Sequence, residues 1–480
     1  MIIITNKPFV AHPLEPAVPL PPRLLVADQV DGCVRMLDVP SGEERAVLDG
    51  RHLAEHAGFL ALPGGRSAFV DDLAGELVVL DPYGPEAGRP FVEATVPVAT
   101  PAEHLAADAT GRLLAVTTGL GRNEEPWSDL LTVVDLRAER PRSVRVRTRV
   151  GEPGVVLLDR ADGAEGCEPG DTAGGDPGAT PDGERGAAPA GEPRAAPDRE
   201  PRAAPDREPR AAADGDKDPL VVLRHREPGT LTAYTWRSLL GSPPACPPAD
   251  PGHELPLPDH DGHGDALDPY SGRLFAAAGS GVHRARREGD RLVAEEPLGW
   301  AGPGRGYYLR LDPVRRTLWS CVRGGPADPG RWPEWSNDAW FHHLASGRTG
   351  RVPLGPGLVF RLAVTATHIA YARVHPDGDE LVLLDPSTPL PRIAARLPLP
   401  AMDGAPRPGG TPWDGVQRRA IAASPGAEYT AVTRGGHGEV HLFEGTRELT
   451  VIKVPTPLHD GGHLALIAPG DGAQADRIGR

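Results

Sequence analysis

The feature that most constrains the fold of this chain is a pattern of strand-like runs that recurs about every fifty residues. In the clearest copies an apolar run ends in Asp and enters a turn: "VRMLDVPSG" from Val34, "LVVLDPYG" from Leu77, "LTVVDLRA" from Leu131 and "LVLLDPST" from Leu381. Weaker copies begin at positions 231, 282, 340 and 440. Further strand-like runs precede each copy, so the pattern predicts eight units of several short strands each.

Composition agrees with many short elements joined by turns. The 480 residues include 59 Gly and 56 Pro, and both residue types end or interrupt regular structure. No ten-residue amphipathic helical pattern alternates with the strands, which argues against a two-domain α/β protein. Repeats of this length with several strands each indicate a β-propeller. We therefore expect an all-β fold, a single propeller of eight four-stranded blades, with seven blades as the alternative.

The two ends of the repeat pattern complement each other. The run at Leu24 has no inner strand before it, and the run at His463 has no outer strands after it. Together they complete one blade, which closes the ring and removes its free sheet edges. The pattern resembles the YVTN and quinoprotein-like β-propellers, which are relatives of the WD-repeat propellers. The resemblance covers nearly the whole chain and implies a fold, but no particular activity.

One segment departs from the pattern. Residues 159–219 contain three tandem copies of an octad that reads "EPRAAPDR" in its first two copies, with few apolar residues larger than Ala. Such a composition buries too little apolar surface to offset the entropy of ordering. We expect a disordered insert between the two inner strands of the fourth blade, either a tolerated expansion or a partner-binding tail.

Charge and hydropathy exclude several classes of function. The formal net charge is −15 and there is no basic stripe, so nucleic-acid binding is not expected. The N-terminal apolar run is too short for a signal peptide, and no apolar stretch is long enough to cross a membrane. The cysteines form neither metal-ligand pairs nor a disulfide framework. We expect a soluble, cytoplasmic protein.

Histidines concentrate where the inner strands are predicted to begin. Two such places carry related motifs, His260-Asp261-Gly262-His263 and His459-Asp460-Gly461-Gly462-His463. In a propeller the loop from the outer strand of one blade to the inner strand of the next lies on one face, called the top, beside the central channel. Loops far apart in sequence therefore meet there. The sequence predicts a metal site formed by four histidines: His56, His104, His263 and His463.

Each of these four histidines has an acidic residue close by in the sequence: Glu55, Glu103, Asp261 and Asp460. A carboxylate can fix the tautomer of an imidazole and raise its basicity. Four imidazoles would suit a divalent transition metal, namely Fe, Zn or Cu. Two alternatives stay open. One histidine can act as a general base without a metal, or the Gly-His pairs can be structural braces, as in WD-repeat propellers, with Asp31 as the partner of His463.

Aromatic and cationic residues fall on the same predicted face. Trp332 and Trp335 lie in a long hairpin loop of the sixth blade, and Trp413 lies in the loop before the eighth. Arg361 and Arg419 lie near strand starts. These residues are candidate ligand contacts, the tryptophans as walls and the arginines as anion-binding groups. Alternatively, the tryptophans pack together as a lid and the arginines neutralise neighbouring acids.

Two functions from different classes follow. The first is a His-rich, Trp-walled site for a small molecule at the top of the channel, either binding or catalytic. The second is a scaffold without chemistry that holds a protein partner on the same face. The sequence contains no nucleophile elbow, P-loop or zinc-protease motif, so it does not name a reaction.

Overall fold

A computed structural model describes residues 20–119, 126–159, 218–259, 264–413, 415–469 and 477–478. These residues all belong to one compact unit. Within it the strands form eight antiparallel sheets, six of four strands and two of five strands, and each sheet is one blade. The all-β fold and the eight blades predicted from the repeats are thereby confirmed, and the seven-bladed alternative is wrong.

In the first four blades the strands follow one another from the inner to the outer position. Blade 1 contains β33 (His463–Ile467), β1 (Arg23–Asp28), β2 (Cys33–Asp38) and β3 (Glu44–Asp49). Blade 2 contains β4 (Phe59–Leu62), β5 (Arg66–Asp71), β6 (Glu76–Leu80) and β7 (Val92–Pro97). Blade 3 contains β8 (Ala102–Ala107), β9 (Leu113–Thr118), β10 (Asp129–Asp135) and β11 (Arg142–Thr148). Blade 4 contains β12 (Gly154–Leu158), β13 (Leu220–His225), β14 (Thr230–Thr235) and β15 (His253–Pro256).

The other four blades follow the same order. Blade 5 contains β16 (Asp265–Asp268), β17 (Arg273–Ala277), β18 (Gly281–Glu288) and β19 (Arg291–Gly299). Blade 6 has a split inner strand and contains β20 (Arg305–Gly306), β21 (Arg310–Asp312), β22 (Thr317–Gly324), β23 (Ser336–His343) and β24 (Thr349–Pro356). Blade 7 contains β25 (Leu358–Val364), β26 (Ile369–Val374), β27 (Asp379–Asp385) and β28 (Arg392–Leu399). Blade 8 contains β29 (Ile421–Ala423), β30 (Tyr429–Arg434), β31 (Glu439–Glu444) and β32 (Arg447–Lys453).

Few other elements occur in the described ranges. A short helix, α1 (Trp236–Leu240), leads from β14 toward β15, and a two-residue strand, β34 (Arg477–Ile478), pairs with β4. Short 3₁₀ turns lie at Pro85–Ala87, Pro329–Glu334, Gly435–His437 and His459–Gly461.

Blade 1 joins the two ends of the repeat pattern, as predicted. Strand β33 pairs antiparallel with β1, in a register that places Ala27 opposite His463 and Arg23 opposite Ile467. This pairing gives β1 a partner on its inner side, so no free sheet edge remains where the ring closes.

The core lies between the blades. Eight clusters of buried apolar side chains each join two neighbouring blades, from blades 1 and 2 around to blades 8 and 1. Because adjacent strand residues point to opposite faces of a sheet, each blade contributes to both of its neighbours. The closed set of clusters makes the ring a rigid support for the loops at its ends.

The recurrent Asp of the sequence pattern has a local role. Oxygens of Asp81, Asp135 and Asp385 each accept the backbone N–H two residues further on, over distances of 2.9–3.1 Å. Asp favours such turns because its short side chain can replace a backbone acceptor. The pattern thus marks the turn between the third and fourth strands of a blade.

Candidate functional site at the channel mouth

The predicted site residues lie at different depths around the top face. His56 lies in the loop that precedes β4, His104 lies within β8, and His463 is the first residue of β33. His463 is buried, whereas His104 is partly buried and the His56 side chain is about half exposed. His263 lies outside the described residues. The four-histidine metal site therefore stays a prediction.

The acid next to His104 in the sequence pairs with a different histidine in the structure. Glu103 Oε2 lies 3.5 Å from Nδ1 of His56, which belongs to the loop of the preceding blade. The Glu103 side chain is only 10% exposed. Sequence proximity thus identified the right residue types but not this pairing between blades.

A second pair brings together residues from opposite ends of the chain. Nδ1 of His459 lies 2.8 Å from Oε1 of Glu55, and Asp460 adjoins them. One ligand atom from each of these three residues lies within 4.8 Å of the others. We call Glu55, His459 and Asp460 the mouth triad. The described residues contain one other group of this kind, Asp28, Asp31 and Cys33, and neither group includes His56, His104 or His463.

The two glycines of the second motif hold the mouth triad in place. Gly461 has a φ of 94°, and a Cβ there would lie 2.1 Å from the carbonyl oxygen of Arg418. Gly462 has a φ of 87°. Only glycine combines this backbone conformation with so close an approach of another chain segment. The Gly-Gly pair therefore sets the path of the loop that carries His459 and Asp460.

The group Asp28, Asp31 and Cys33 lies in the hairpin of blade 1 and already contains a cation. Arg35 forms ion pairs with Asp31 and, at 3.6 Å, with Asp28. Burial, together with these acids, raises the pKa of the Cys33 thiol to about 11. A neutral thiol beside an Arg is a poor metal ligand, so the mouth triad is the better metal candidate.

Aromatic and arginine side chains form the other half of the top face. Trp335 and Trp413 stack with ring centroids 5.6 Å apart, and Phe360 meets Trp413 edge to face at 5.2 Å. The guanidinium carbon of Arg323 lies 4.2 Å from the Trp335 ring centroid and 4.4 Å from that of Tyr307. Cations above aromatic faces are attracted by the ring quadrupole. We call Tyr307, Arg323, Trp335, Phe360 and Trp413 the aromatic cluster.

Arg418 joins the two halves. Its guanidinium carbon lies 5.2 Å from the Phe360 ring centroid, and one of its nitrogens lies 3.8 Å from Asp460 Oδ2. A chain of contacts therefore runs from Glu55 through His459, Asp460 and Arg418 to the aromatic cluster. The loops that carry these residues belong to different blades, so this arrangement depends on the ring.

The tryptophans named from sequence differ in exposure. Trp332 is 0% exposed and Trp335 is 4% exposed. Their indole N–H groups donate to the carbonyl oxygens of Arg407 at 3.2 Å and Pro326 at 2.8 Å. Trp413 is partly buried. This packing is what the lid alternative describes, and of the three rings Trp413 offers the most surface to a ligand.

The two arginines named from sequence also differ. Arg361 is partly buried within β25. The Arg419 side chain is 0% exposed and its Nε donates to Asp379 at 2.8 Å, while further nitrogens donate to the carbonyl oxygens of Thr433 and Pro400. Burial lowers the pKa of Arg419, and Asp379 opposes that shift. Arg419 thus joins blades 7 and 8 through a buried ion pair.

A cavity of about 370 Å³ lies beside the aromatic cluster. Trp332 and Met402 contribute apolar lining, and His375, Asp403 and Arg407 contribute polar lining. The long loop that leads to blade 8 forms most of one wall. The sequence signal for this cavity was the length of that loop.

Several residues of the site were not singled out by sequence reasoning. Arg323 and Tyr307 carried no motif, Glu55 was noted only as the neighbour of His56, and His459 was noted only as the first residue of the second His motif. A buried histidine, His225 at the top end of β13, was also missed. Burial, assisted by Arg149 and Arg224, lowers its pKa to about 4. The first His of the second motif was the one signal that pointed to the mouth triad.

Comparison with known proteins supports the fold alone. No protein-family profile matches the sequence, and no curated protein is similar to it. Two solved structures of AztD from Citrobacter koseri share 11% identity with this chain; the apo form covers 94% of this chain and 99% of its own, with a TM-score of 0.57. The structure of dihydro-heme d1 dehydrogenase NirN in complex with DHE shares 14% identity, covers 99% of this chain and 80% of its own, and has a TM-score of 0.50.

Across the described ranges, the helices are all too short or too polar to traverse a lipid bilayer. The topology and these likenesses agree on the fold: the chain folds as an eight-bladed β-propeller.

Proposed function

We propose that the chain binds a small ligand at the top of the central channel, with a divalent transition metal held by the mouth triad. The observation that carries this proposal is the convergence of an imidazole and two carboxylates within 4.8 Å. Nitrogen and oxygen donors in this combination suit Zn, Fe and similar ions. Three protein ligands would leave coordination positions for a ligand or water.

The charge and the solvent exposure of the mouth triad also affect metal binding. The side chains of Glu55, His459 and Asp460 are 30%, 55% and 29% exposed, so an ion can reach them from solvent. Two carboxylates offset the charge of a divalent cation. Arg418, 3.8 Å from Asp460, opposes binding, and removal of its charge should tighten it.

Burial weighs against the alternative of a protein-interaction scaffold built on the tryptophans. Trp332 and Trp335 are almost completely buried, so neither ring offers much surface to a partner. Interface anchors need exposed side chains that become buried on binding. A small-molecule site bordered by Trp413 and Phe360 makes better use of the same cluster.

Metal analysis of the purified protein and calorimetric titration with Zn²⁺, Fe²⁺ and Cu²⁺ test the proposal. We expect one ion per chain, and we expect the double variant Glu55→Gln, His459→Ala to lose it. The control is His343→Ala, a partly exposed histidine bonded to Ser346 at the opposite end of blade 6. Metal retained by the double variant but lost from His263→Ala, His463→Ala would favour the four-histidine site instead. Absence of stoichiometric metal in the wild type would refute a metal site on this face.

A further inference from the structure

Arg323 has an unusual combination of packing and charge. It lies at the top end of β22, where its backbone pairs with Arg305 and Asn337. Its guanidinium carbon lies within 5.1 Å of the ring centroids of Tyr307, Trp335 and Trp413. The side chain is thus held in one position by aromatic faces. Such faces stabilise the plane of a guanidinium and leave the N–H groups at its edge accessible to hydrogen-bond acceptors.

No carboxylate in the described part of the chain lies within 4.0 Å of an Arg323 nitrogen. Most other buried or partly buried arginines near this face have one; Arg419 pairs with Asp379 and Arg373 with Glu380. Arg323 instead donates one hydrogen bond, of 2.6 Å, to the phenol oxygen of Tyr307. A guanidinium has five N–H donors, so its hydrogen-bonding capacity is largely unused by protein side chains.

A second cation lies beside it. Nε of Arg305 also donates to the Tyr307 phenol oxygen at 2.6 Å, and the Arg305 guanidinium carbon lies 5.2 Å from the Tyr307 ring centroid. Two positive groups therefore share one neutral acceptor. An anion at the edge of the Arg323 guanidinium would accept charge-assisted hydrogen bonds from it.

We propose that Arg323 binds the anionic group, a carboxylate or phosphate, of a small organic ligand whose planar apolar part packs against Trp413 and Phe360. Two oxygens of such a group match the fork of a guanidinium. Trp413 and Phe360 are both partly buried and present ring surface at the edge of the cluster. This inference rests on the proposed function, since it assigns the chemistry of the ligand at the same face.

Calorimetry and tryptophan fluorescence with defined probes test the inference. We expect the wild-type protein to bind benzoate or phenyl phosphate, and to bind the neutral isostere benzamide at least about tenfold more weakly, because it lacks the charge-assisted hydrogen bonds. Arg323→Gln should weaken anion binding at least about tenfold. Arg323→Lys should also weaken it, since Lys keeps the charge and loses the fork. The relative affinities of benzoate and phenyl phosphate identify the anionic group.

Controls separate this inference from folding and from the metal. Arg392→Gln removes a well-exposed arginine on the opposite face and should leave binding unchanged. Arg323→Lys provides a second variant if Arg323→Gln does not fold, and an unchanged benzoate affinity in it would count against binding by the guanidinium fork. Equal affinity for benzoate and benzamide, equal affinity of the Arg323→Gln variant and the wild type, or no binding of either anion would overturn the proposal. Anion binding that survives in Glu55→Gln, His459→Ala would support it even if the metal site is wrong.

Discussion

The carboxylate of Glu55 and the imidazole of His459 lie 2.8 Å apart although 404 positions separate them in the sequence. The contact exists because the ring closes: His459 precedes the inner strand of blade 1, and Glu55 precedes the inner strand of blade 2. Residues at equivalent positions of neighbouring blades become neighbours at the channel. The position of each loop thus decides which donors meet.

Gly461→Ala should disrupt the mouth triad more than an ordinary glycine substitution does. Its Cβ would lie 2.1 Å from the Arg418 carbonyl oxygen, with φ at 94°, so the loop must move. We expect a loss of unfolding free energy clearly above the roughly 1 kcal/mol of a left-handed alanine, together with loss of metal binding. Denaturant titration and calorimetry measure the two effects.

The matched control for Gly461 is Gly445→Ala. Gly445 has a φ of 53° but nothing within 4 Å of the added Cβ. The Gly445→Ala substitution should lower the unfolding free energy by about 1 kcal/mol and leave metal binding intact. If both variants cost the same and both keep the metal, the close contact at Gly461 does not position the triad.

Arg419 should act on stability and not on ligand binding. Arg419→Ala leaves Asp379 buried without its partner, which costs about 3–5 kcal/mol in comparable pairs. The double variant Arg419→Met, Asp379→Leu removes both charges and should recover much of that loss. Chemical denaturation of Arg419→Met, Asp379→Leu and the double variant gives the coupling energy. A selective loss of benzoate affinity in the double variant, with its stability recovered, would instead make Arg419 a ligand contact.

Much of the fold could be predicted from the sequence, because a propeller repeats one local pattern. The Asp turns at Asp81, Asp135 and Asp385 and the complementary runs at Leu24 and His463 are local signals, and they fixed the blade count and the closure. The site was harder to predict. His56 pairs with Glu103 of the next blade, and Arg323 owes its position to rings from three other segments; neither contact can be read from the local sequence.

Acid should destabilise the protein through His225. Burial lowers its pKa in the folded state to about 4, from the ordinary histidine value of 6.5, so between these values the unfolded chain binds more protons than the folded one. Stability is therefore complete above pH 6.5 and is lost as the pH falls toward 4, by up to about 1.4 kcal/mol per pH unit. His225→Gln should reduce this slope, measured by denaturation between pH 7 and pH 4, whereas His343→Ala should not. An unchanged slope in His225→Gln would rule out this assignment.

Deletion of residues 160–217 should leave the top face unchanged. These residues lie outside the described part of the chain, and we propose that they form a dispensable insert in blade 4. Leu158 and Leu220 pair directly across β12 and β13, so a short turn can join the strands. Arg287 donates to the carbonyl oxygens of Leu158 at 3.0 Å and Asp218 at 3.1 Å. These two hydrogen bonds hold the chain on both sides of the deleted segment and do not involve the segment itself.

The joint lies at the end of blade 4 opposite the channel mouth. Because loop length affects stability only logarithmically, the shortened protein should keep the unfolding free energy of the full chain within about 1 kcal/mol. Metal content and benzoate affinity should equal those of the full chain. Arg287→Ala in the shortened protein tests the fastening: it removes two bonds at the joint, and we expect it to lower the unfolding free energy without changing either binding reaction. A shortened protein that folds but loses metal or anion binding would show that the segment contributes to the site.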